Sequence, residues 1–242
     1  MRRAEHWIDM IPRLIHQTAK TRDISPQWKF YQRKLATLHP DWTYRLWTDQ
    51  DNLEFVEKEY PHFLEIYQNL PKNIMRVDVI RYLIVYKFGG LYMDLDYEML
   101  KPFDQIDHDI VLPWESDGEF GPGKDRVCNS LFAAAPGHPF FKMAIDDLIK
   151  NPPLDANVDV LSATGPLFLT RIYRQAIAEH MNIYTPERPI FNPRTPANPR
   201  QYRAIVNGGV AYGIHHCHGT WREYSLARRI RDRITGFIKR FL

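Results

Sequence analysis

Apolar and polar positions alternate along the chain between short strand-like runs and longer segments with helical spacing. The first pair is IPRLIHQT from residue 11, which is typical of a buried strand, and PQWKFYQRKLATL at 26–38, which has helical spacing behind a proline. WTYRLW at 42–47 predicts a second strand, and two short helices follow it to about residue 69. We therefore expect strands and helices to alternate from the start.

The strongest helix pattern is NIMRVDVIRYLIVYKF at 73–88. Apolar residues on nearly all its sides indicate burial, and Gly89 stands where a helix end favours a left-handed residue. Asp78 and Arg81 are three positions apart and so share one face of this helix. Because charged groups in an apolar segment need a partner, they either pair with each other or face a ligand.

The later apolar runs continue the pattern. After Gly90, LYMDLD predicts a short buried strand that ends in two acids, and DIVLPW and NSLFAAAP predict further strands. Helices are predicted at 138–150 and 164–178, and strands near 182–191 and at 210–217, with a proline-rich, poorly periodic segment between these strands. This order favours an α/β sheet covered by helices.

Composition narrows the class of protein. The 242 residues are 44% hydrophobic and 13% aromatic, which fits one globular domain and excludes a disordered or fibrous chain. We find no apolar run of transmembrane length and no apolar signal core near the start, so we expect a cytoplasmic protein. Cys128 and Cys217 are far apart in sequence and are expected to be reduced thiols.

Positive charge is concentrated at the end of the chain. Residues 222–242 carry seven basic and two acidic side chains, whereas the net charge of the whole chain is +3. Their apolar residues recur at helical spacing, which predicts a basic amphipathic helix after a domain at 1–221. This helix either lies on an anionic membrane, at the inner face of the cell membrane, or docks on its own domain. It lacks interleaved stacking aromatics, so we expect no nucleic-acid partner.

Asp94 and Asp96 stand apart from two other pairs of aspartates with the same spacing. The other pairs, in polar surroundings typical of turns and helix caps, are Asp49 with Asp51 and Asp107 with Asp109. An apolar helix, a Gly-Gly break and an apolar strand carry Asp94 and Asp96 inward, where acids without a cation or donors are costly. Two carboxylates can bind one hard cation, which would neutralise a diphosphate leaving group.

The block RVDVIRYLIVYKFGGLYMDLD resembles the corresponding region of the DXD-containing glycosyltransferase family 32. That family includes yeast-type initiating α-mannosyltransferases, inositol-phosphoceramide mannosyltransferases, bacterial capsular polysaccharide enzymes and, more distantly, clostridial glucosylating toxins. The blocks IPRLIHQT, HPDWTYRLWTD, NSLFAAAPGHPF, SATGPLFLT and HHCHGTW follow the family order and span most of residues 11–221. The resemblance implies a GT-A fold, which is Rossmann-like with a mixed central sheet flanked by helices, and transfer with retention of the donor's α configuration.

The resemblance also implies donor-binding roles. His16 would place its ring against the nucleotide base, although a polar strand end is the alternative. Asp78 and Arg81 would hold the donor and act in catalysis with Asp94 and Asp96, unless they form a structural ion pair. The remaining implied donor contacts come from Gln17 and Thr18, from Tyr92 and Asn129, and from Trp221 over the diphosphate. Core filling is the alternative for Tyr92, and turn formation is the alternative for Asn129. The acceptor side would be shaped by Thr164, Gly165 and Pro166, for which a plain helix start is the alternative.

The late block HHCHGTW supplies the remaining candidate for the cation site. Imidazole is an acceptable ligand beside carboxylates for Mn²⁺ and a poorer one for Mg²⁺, so manganese is the preferred ion. By family position, His216 would complete the site with Asp94 and Asp96. His215 is the alternative, because neighbouring residues of a strand face opposite sides.

Together these inferences predict a retaining, metal-dependent glycosyltransferase. It would move a hexose from GDP-mannose or a UDP-hexose to a saccharide or lipid-linked acceptor, in cell-surface polysaccharide or glycolipid synthesis. Electrostatic stabilisation would dominate a front-face reaction of this kind. Two other hypotheses remain: a metal-dependent nucleotidyltransferase or phosphohydrolase, and a non-enzymatic membrane-surface binding module.

Overall fold

The computed structural model describes residues 10–103, 106, 108–116 and 125–219. The predicted basic helix at 222–242 and Trp221 lie outside the described residues, as does Asp107. No helix in the described part of the chain is both long and apolar enough to cross a bilayer.

The first half alternates strands and helices as predicted. Its elements are β1 (Leu14–Thr18), α1 (Pro26–Leu38), β2 (Thr43–Trp47), α2 (Asp49–Glu59), a short 3₁₀ turn (Pro61–Phe63), α3 (Leu64–Asn69), α4 (Asn73–Phe88) and β3 (Gly90–Met93). Local capping defines two of the helix starts. The Ser25 hydroxyl accepts from the Trp28 amide at the start of α1, and Thr48 with Asp51 forms a reciprocal capping box at the start of α2. The Asp49 and Asp51 pair is thus part of a helix start, as its polar surroundings indicated.

The second half departs from the prediction in places. Its elements are β4 (Tyr97–Met99), β5 (Ile110–Val111), β6 (Leu131–Ala134), α5 (Pro139–Lys150), α6 (Val160–Ala163), α7 (Pro166–Ala178), α8 (Arg188–Phe191), α9 (Pro199–Gly208) and β7 (Gly213–His215). The strand expected near 182–191 is wrong: Tyr184 makes only an isolated bridge to Val111, and the segment ends in α8. The proline-rich segment contains α9, whose start is capped by Asn198 ahead of Pro199.

The sheet brings three strand ends to one edge. The main sheet has the order β2-β1-β3-β6-β5, and β1 is parallel to both β2 and β3, whereas β6 is antiparallel to β3 and β5. A second sheet pairs β4 with β7 in antiparallel fashion. Because ligands of α/β sheets bind beyond the carboxyl ends of parallel strands, the edge formed by the ends of β1, β2 and β3 is the expected binding crevice.

Two glycines make a tight connection between α4 and β3. Gly89 has φ 65° and Gly90 has φ 94°, both in the region that favours glycine. A Cβ on Gly90 would lie 2.6 Å from the Leu14 carbonyl oxygen of β1. This close approach lets β3 lie directly against β1 immediately after the buried helix.

Candidate active site

Asp94 and Asp96 follow β3 at the expected edge. The Asp94 amide donates to the Ser130 carbonyl at 2.8 Å, just before β6. The Asp96 carboxylate accepts the backbone N–H of His218, beyond β7, at 2.7 Å. The two acids are therefore anchored to different neighbours, one next to a strand of each sheet.

A third potential metal ligand, His215, lies beside the two acids. One ligand atom from each of Asp94, Asp96 and His215 lies within 4.8 Å of the others, and this is the only such cluster of His, Cys, Asp and Glu in the described ranges. Two carboxylates and one imidazole form a donor set that suits Mn²⁺. The chemistry of the residues present thus fits a divalent cation.

The structure corrects the preference for His216. His215 directs Nε2 to Asp96 Oδ1 at 3.3 Å, whereas His216 directs Nε2 to Glu98 Oε2 at 2.9 Å. The His216 ring also stacks on Tyr31, with 5.0 Å between centroids. The reason is the side-chain alternation of strands: β7 pairs His215 with Tyr97 of β4, which turns the next residue to the other face.

Charge complementarity is strong between Asp96 and His215. Burial opposes ionisation of Asp96, but the hydrogen bond and charge of His215, together with the His218 amide, lower the pKa of Asp96 to about 2. Burial also disfavours the imidazolium of His215, yet Asp96 together with Cys217 outweighs burial and raises the pKa of His215 well above its usual value. Asp96 and His215 therefore form a pair of opposite charges next to Asp94.

Arg81 and Tyr92 enclose Asp94. The Tyr92 hydroxyl donates to Asp94 Oδ1 at 2.8 Å, and Arg81 Nη1 lies 3.4 Å from the same oxygen. Burial raises the pKa of Asp94, and the charge of Arg81 partly offsets this. The guanidinium also lies over the Tyr92 ring at 4.9 Å. Tyr92 is thus both a core residue and a direct partner of a candidate ligand.

The predicted group around Asp78 comes together as a buried network. Arg81 Nη2 lies 3.2 Å from Asp78 Oδ1, and the two side chains are only 3% and 4% exposed. Asn129 Nδ2 donates to Asp78 Oδ1 at 3.1 Å, and the Thr164 hydroxyl donates to Asp78 Oδ2 at 2.9 Å. Burial raises the pKa of Asp78 to about 6, opposed by Arg81 and these donors. The ion-pair alternative is therefore realised, with Arg81 joining Asp78 to Asp94.

His16 lies behind the binding edge, so the expected contact with a base is corrected. Its Nε2 donates to the Gly89 carbonyl at 3.0 Å, and its Nδ1 accepts from Trp47 Nε1 at 3.2 Å. The Trp47 and Phe88 rings pack beside it, and burial lowers its pKa to about 4. Both ring nitrogens are thus used inside the protein.

Gln17 and Thr18 support the site from β1. Gln17 Nε2 donates to the Asp94 carbonyl at 3.1 Å, and its Oε1 accepts from the Tyr44 hydroxyl at 2.9 Å. The Thr18 hydroxyl lies 3.0 Å from the Tyr92 hydroxyl. Since that tyrosine donates to Asp94, Thr18 is the donor in this pair. Gln17 and Thr18, which lie on the neighbouring strand, thus hold Asp94 and Tyr92 in place.

Thr164, Gly165 and Pro166 occupy a buried helix start. Thr164 follows α6 as its C-terminal cap, Gly165 precedes α7 and Pro166 is the first residue of α7. All three are buried, and the Tyr82 hydroxyl donates to the Thr164 carbonyl at 2.7 Å. The helix-start alternative therefore describes their geometry, and Thr164 faces Asp78 and not an open acceptor surface.

Sequence reasoning missed Glu98, two positions beyond Asp96. This side chain, 3% exposed, accepts from Lys34 Nζ at 2.6 Å, from the Tyr202 hydroxyl at 2.8 Å and from His216 Nε2 at 2.9 Å. Burial opposes its ionisation, but the three donors outweigh burial and lower its pKa to about 2. The sequence did contain a signal for Glu98, because it is the third acid at alternate positions after Asp94 and Asp96. The argument that the first two acids face inward therefore applies to it as well.

A cavity of about 270 Å³ opens beside α2, α3 and the start of α4. Its lining consists of Asp49, Leu53, Tyr67, Gln68, Asn73, Arg76 and Val77. Neither acid of the cation cluster lines it, but Val77 precedes Asp78 in the buried network, and α2 begins directly after β2. The cavity thus lies at the β2 end of the binding edge.

Comparison with known proteins identifies the family. Residues 25–112 match the model of the glycosyltransferase sugar-binding region containing DXD motif, a span that includes both Asp94 and Asp96. Inositol phosphoceramide mannosyltransferase 3 of Schizosaccharomyces pombe is 38% identical over 168 residues, which are 67% of this chain and 45% of that protein. Mannosyl phosphorylinositol ceramide synthase SUR1 of Saccharomyces cerevisiae is 37% identical over 170 residues, which are 69% of this chain and 42% of that protein. The chain thus spans less than half the length of these curated relatives.

Structural comparison agrees with the fold expected from the sequence. The PaToxG glycosyltransferase superposes with a TM-score of 0.54 at 18% identity, covering 70% of this chain and 71% of that one. The central mixed sheet with flanking helices is the GT-A fold, which confirms the predicted fold class. With the DXD block, the ordered strands and these relatives in agreement, the chain belongs to the DXD-containing glycosyltransferase family 32.

Proposed function

We propose that this protein transfers a hexose from a nucleotide diphosphate sugar to a saccharide or glycolipid acceptor, with retention of configuration and with the help of a divalent cation. The observation that carries the proposal is the convergence of Asp94, Asp96 and His215 at the carboxyl edge of the parallel strands. The buried guanidinium of Arg81, which is positively charged, lies behind this group and contacts Asp94. This arrangement suits a diphosphate group, whose negative charge increases as the sugar bond breaks.

Asp94, Asp96 and His215 would hold the cation, and Mn²⁺ is the ion we favour for this donor set. When bound, the cation would neutralise the diphosphate leaving group. Arg81 is too enclosed to touch the sugar in this geometry, so we assign it the task of holding the Asp94 carboxylate in position. Asp78 in turn holds Arg81, and its other oxygen is held by Thr164.

The nucleoside end of the donor would extend from the acids toward β2. Neighbouring strands lie about 4.8 Å apart, so the ends of β3 and β2, separated by β1, are about 10 Å apart. The cavity beside Asp49 lies at that β2 end and is our candidate for the base, in place of His16. Its polar lining from Asp49, Asn73 and Gln68 offers hydrogen-bond partners for a base edge.

We favour mannose and a lipid-linked acceptor because two relatives are named for mannosyl transfer to inositol phosphoceramide. The basic segment 222–242 supports contact with an anionic membrane surface, where such an acceptor would be presented. We accordingly propose a peripheral position at the inner face of the cell membrane. A nucleotidyltransferase or a phosphohydrolase, the rival hypotheses, would break a different bond of the donor and give different products.

A donor screen tests the proposal. The protein is incubated with Mn²⁺, a glycolipid or saccharide acceptor, and a panel of GDP- and UDP-sugars, and products are separated by chromatography. We expect nucleoside diphosphate and an α-linked product in equal amounts, with the linkage assigned by NMR. Asp96→Asn should abolish both products, while Asp146→Asn, the same change on the exposed face of α5, should leave them unaltered. Release of nucleoside monophosphate would contradict glycosyl transfer.

A further inference from the structure

Ser130 contacts both sides of the acid cluster. It lies just before β6 and is buried, and its carbonyl oxygen accepts the Asp94 amide at 2.8 Å. Its hydroxyl oxygen lies 3.2 Å from Nδ1 of His215, which belongs to the other sheet. One serine thus joins the two segments that supply the candidate ligands.

The His215 ring must carry its proton on one nitrogen in order to bind a cation through the other. Its Nε2 is the atom that faces Asp96, at 3.3 Å from Oδ1. An imidazole that binds through Nε2 needs a lone pair there and therefore carries its hydrogen on Nδ1. A hydrogen-bond acceptor at Nδ1 fixes that tautomer and the orientation of the ring.

A short series of buried groups makes the Ser130 oxygen the acceptor. The Ser130 hydroxyl lies 2.9 Å from Cys128 Sγ, and that thiol lies 3.7 Å from Asn192 Oδ1. Asn192 cannot easily reverse its amide, because its Nδ2 donates to the Trp114 carbonyl at 3.0 Å. Burial raises the pKa of the Cys128 thiol, which keeps its hydrogen. Donation therefore runs in one direction, from His215 to Ser130, to Cys128 and to Asn192.

We propose that Ser130 is a positioning residue for the cation: its hydroxyl accepts the Nδ1 hydrogen of His215 and so directs Nε2, the atom that would bind the cation, at the Asp94 and Asp96 carboxylates. The inference rests on the cation site of the proposed function and adds to it the group that orients the imidazole. Neither the acid motif nor the block of three histidines contains this serine, which lies in a different part of the chain.

Cys217 is the rival partner of the same ring nitrogen. Its Sγ lies 3.4 Å from His215 Nδ1, but this thiol is exposed, whereas Ser130 is buried. Sulfur is also a weaker hydrogen-bond acceptor than a hydroxyl oxygen. Cys217→Ala is therefore a matched control, since it removes the other neighbour of the same atom.

Mn²⁺ binding to the whole protein tests the proposal without any turnover. Free Mn²⁺ is measured by electron paramagnetic resonance while the ion is titrated into each variant. Ser130→Ala should weaken binding by about 10-fold to 100-fold, the range for losing a group that orients a metal ligand. Ser130→Thr and Ser130→Val have almost the same shape, and only the threonine should retain affinity. Cys217→Ala should bind like the wild type.

Each outcome separates this inference from the function on which it rests. All variants keep the main-chain bond from Asp94 to residue 130, and their thermal unfolding midpoints report whether they fold. Equal affinity of wild type, Ser130→Ala and Ser130→Val would overturn the role of Ser130 while leaving the cation site intact. Weakening by Cys217→Ala alone would transfer the role to Cys217. Failure of the wild-type protein to bind Mn²⁺ would remove the cation from the proposed function itself.

Discussion

Glu98→Gln should destabilise the protein strongly at neutral pH. The ionised carboxylate accepts hydrogen bonds from Lys34, Tyr202 and His216, and these donors lower its pKa from the usual 4.5 to about 2. At about 1.4 kcal/mol per pKa unit, this difference corresponds to roughly 3 kcal/mol of preferential stabilisation of the charged form. Lys34 is partly exposed, so solvent screening reduces the expected loss to about 2 kcal/mol.

The pH dependence of this loss is the sharper test. A carboxyl group with a lowered pKa in the folded state contributes its full stability above the unfolded pKa, and loses it as the pH falls through the folded pKa. The gap between wild type and Glu98→Gln should therefore be complete at pH 7 and shrink between about pH 4.5 and pH 2. Urea unfolding followed by circular dichroism measures it, with Glu54→Gln on the exposed face of α2 as the control. A gap that is equally large at pH 7 and pH 3 would refute the assignment.

Three other changes probe the site and its scaffold. Arg81→Met should lower the free energy of unfolding by about 3 to 5 kcal/mol, because it leaves buried carboxylates without their cation partner; a loss under about 1 kcal/mol in urea would contradict this. Gly90→Ala should cost more stability than Gly137→Ala, since both have positive φ but only the former places a Cβ against the Leu14 carbonyl; equal losses would disprove the packing argument. Chelation of divalent cations should abolish sugar transfer and added Mn²⁺ should restore it, as measured by product formation; transfer that persists in the chelator would exclude the cation role.

Local signals explain why the first half was predictable. The α4 pattern at 73–88 matches the helix observed, because the apolar residues on nearly all of its sides and the Gly89 that follows it are local features of the sequence. The cap formed by Asn198 and Pro199 was an equally local signal, yet the prolines around α9 obscured its periodicity. The short apolar runs near 182–191 were wrongly predicted to form a strand. Whether such a run pairs depends on a strand distant in sequence, and here only Tyr184 forms a bridge.

Tertiary pairing determines the parts of the site that sequence could not decide. Which of the adjacent histidines faces the acids follows from the register of β7 on β4, a pairing across more than a hundred residues. The inward position of His16 depends on Trp47 and Phe88, which surround it from other elements. Ser130 was equally invisible, because its partners come from three separate stretches of chain.

The two sheets give the cluster of Asp94, Asp96 and His215 a thermodynamic consequence. Asp94 is anchored beside the main sheet, whereas His215 belongs to the β4 and β7 pair. An ion that gathers these ligands ties one sheet to the other and so binds the native chain in preference to the unfolded one. Occupancy and resistance to unfolding are then linked, and a hundredfold excess over the dissociation constant raises the unfolding free energy by about 2.7 kcal/mol. Binding of the ion at this site would thereby also stabilise the folded protein.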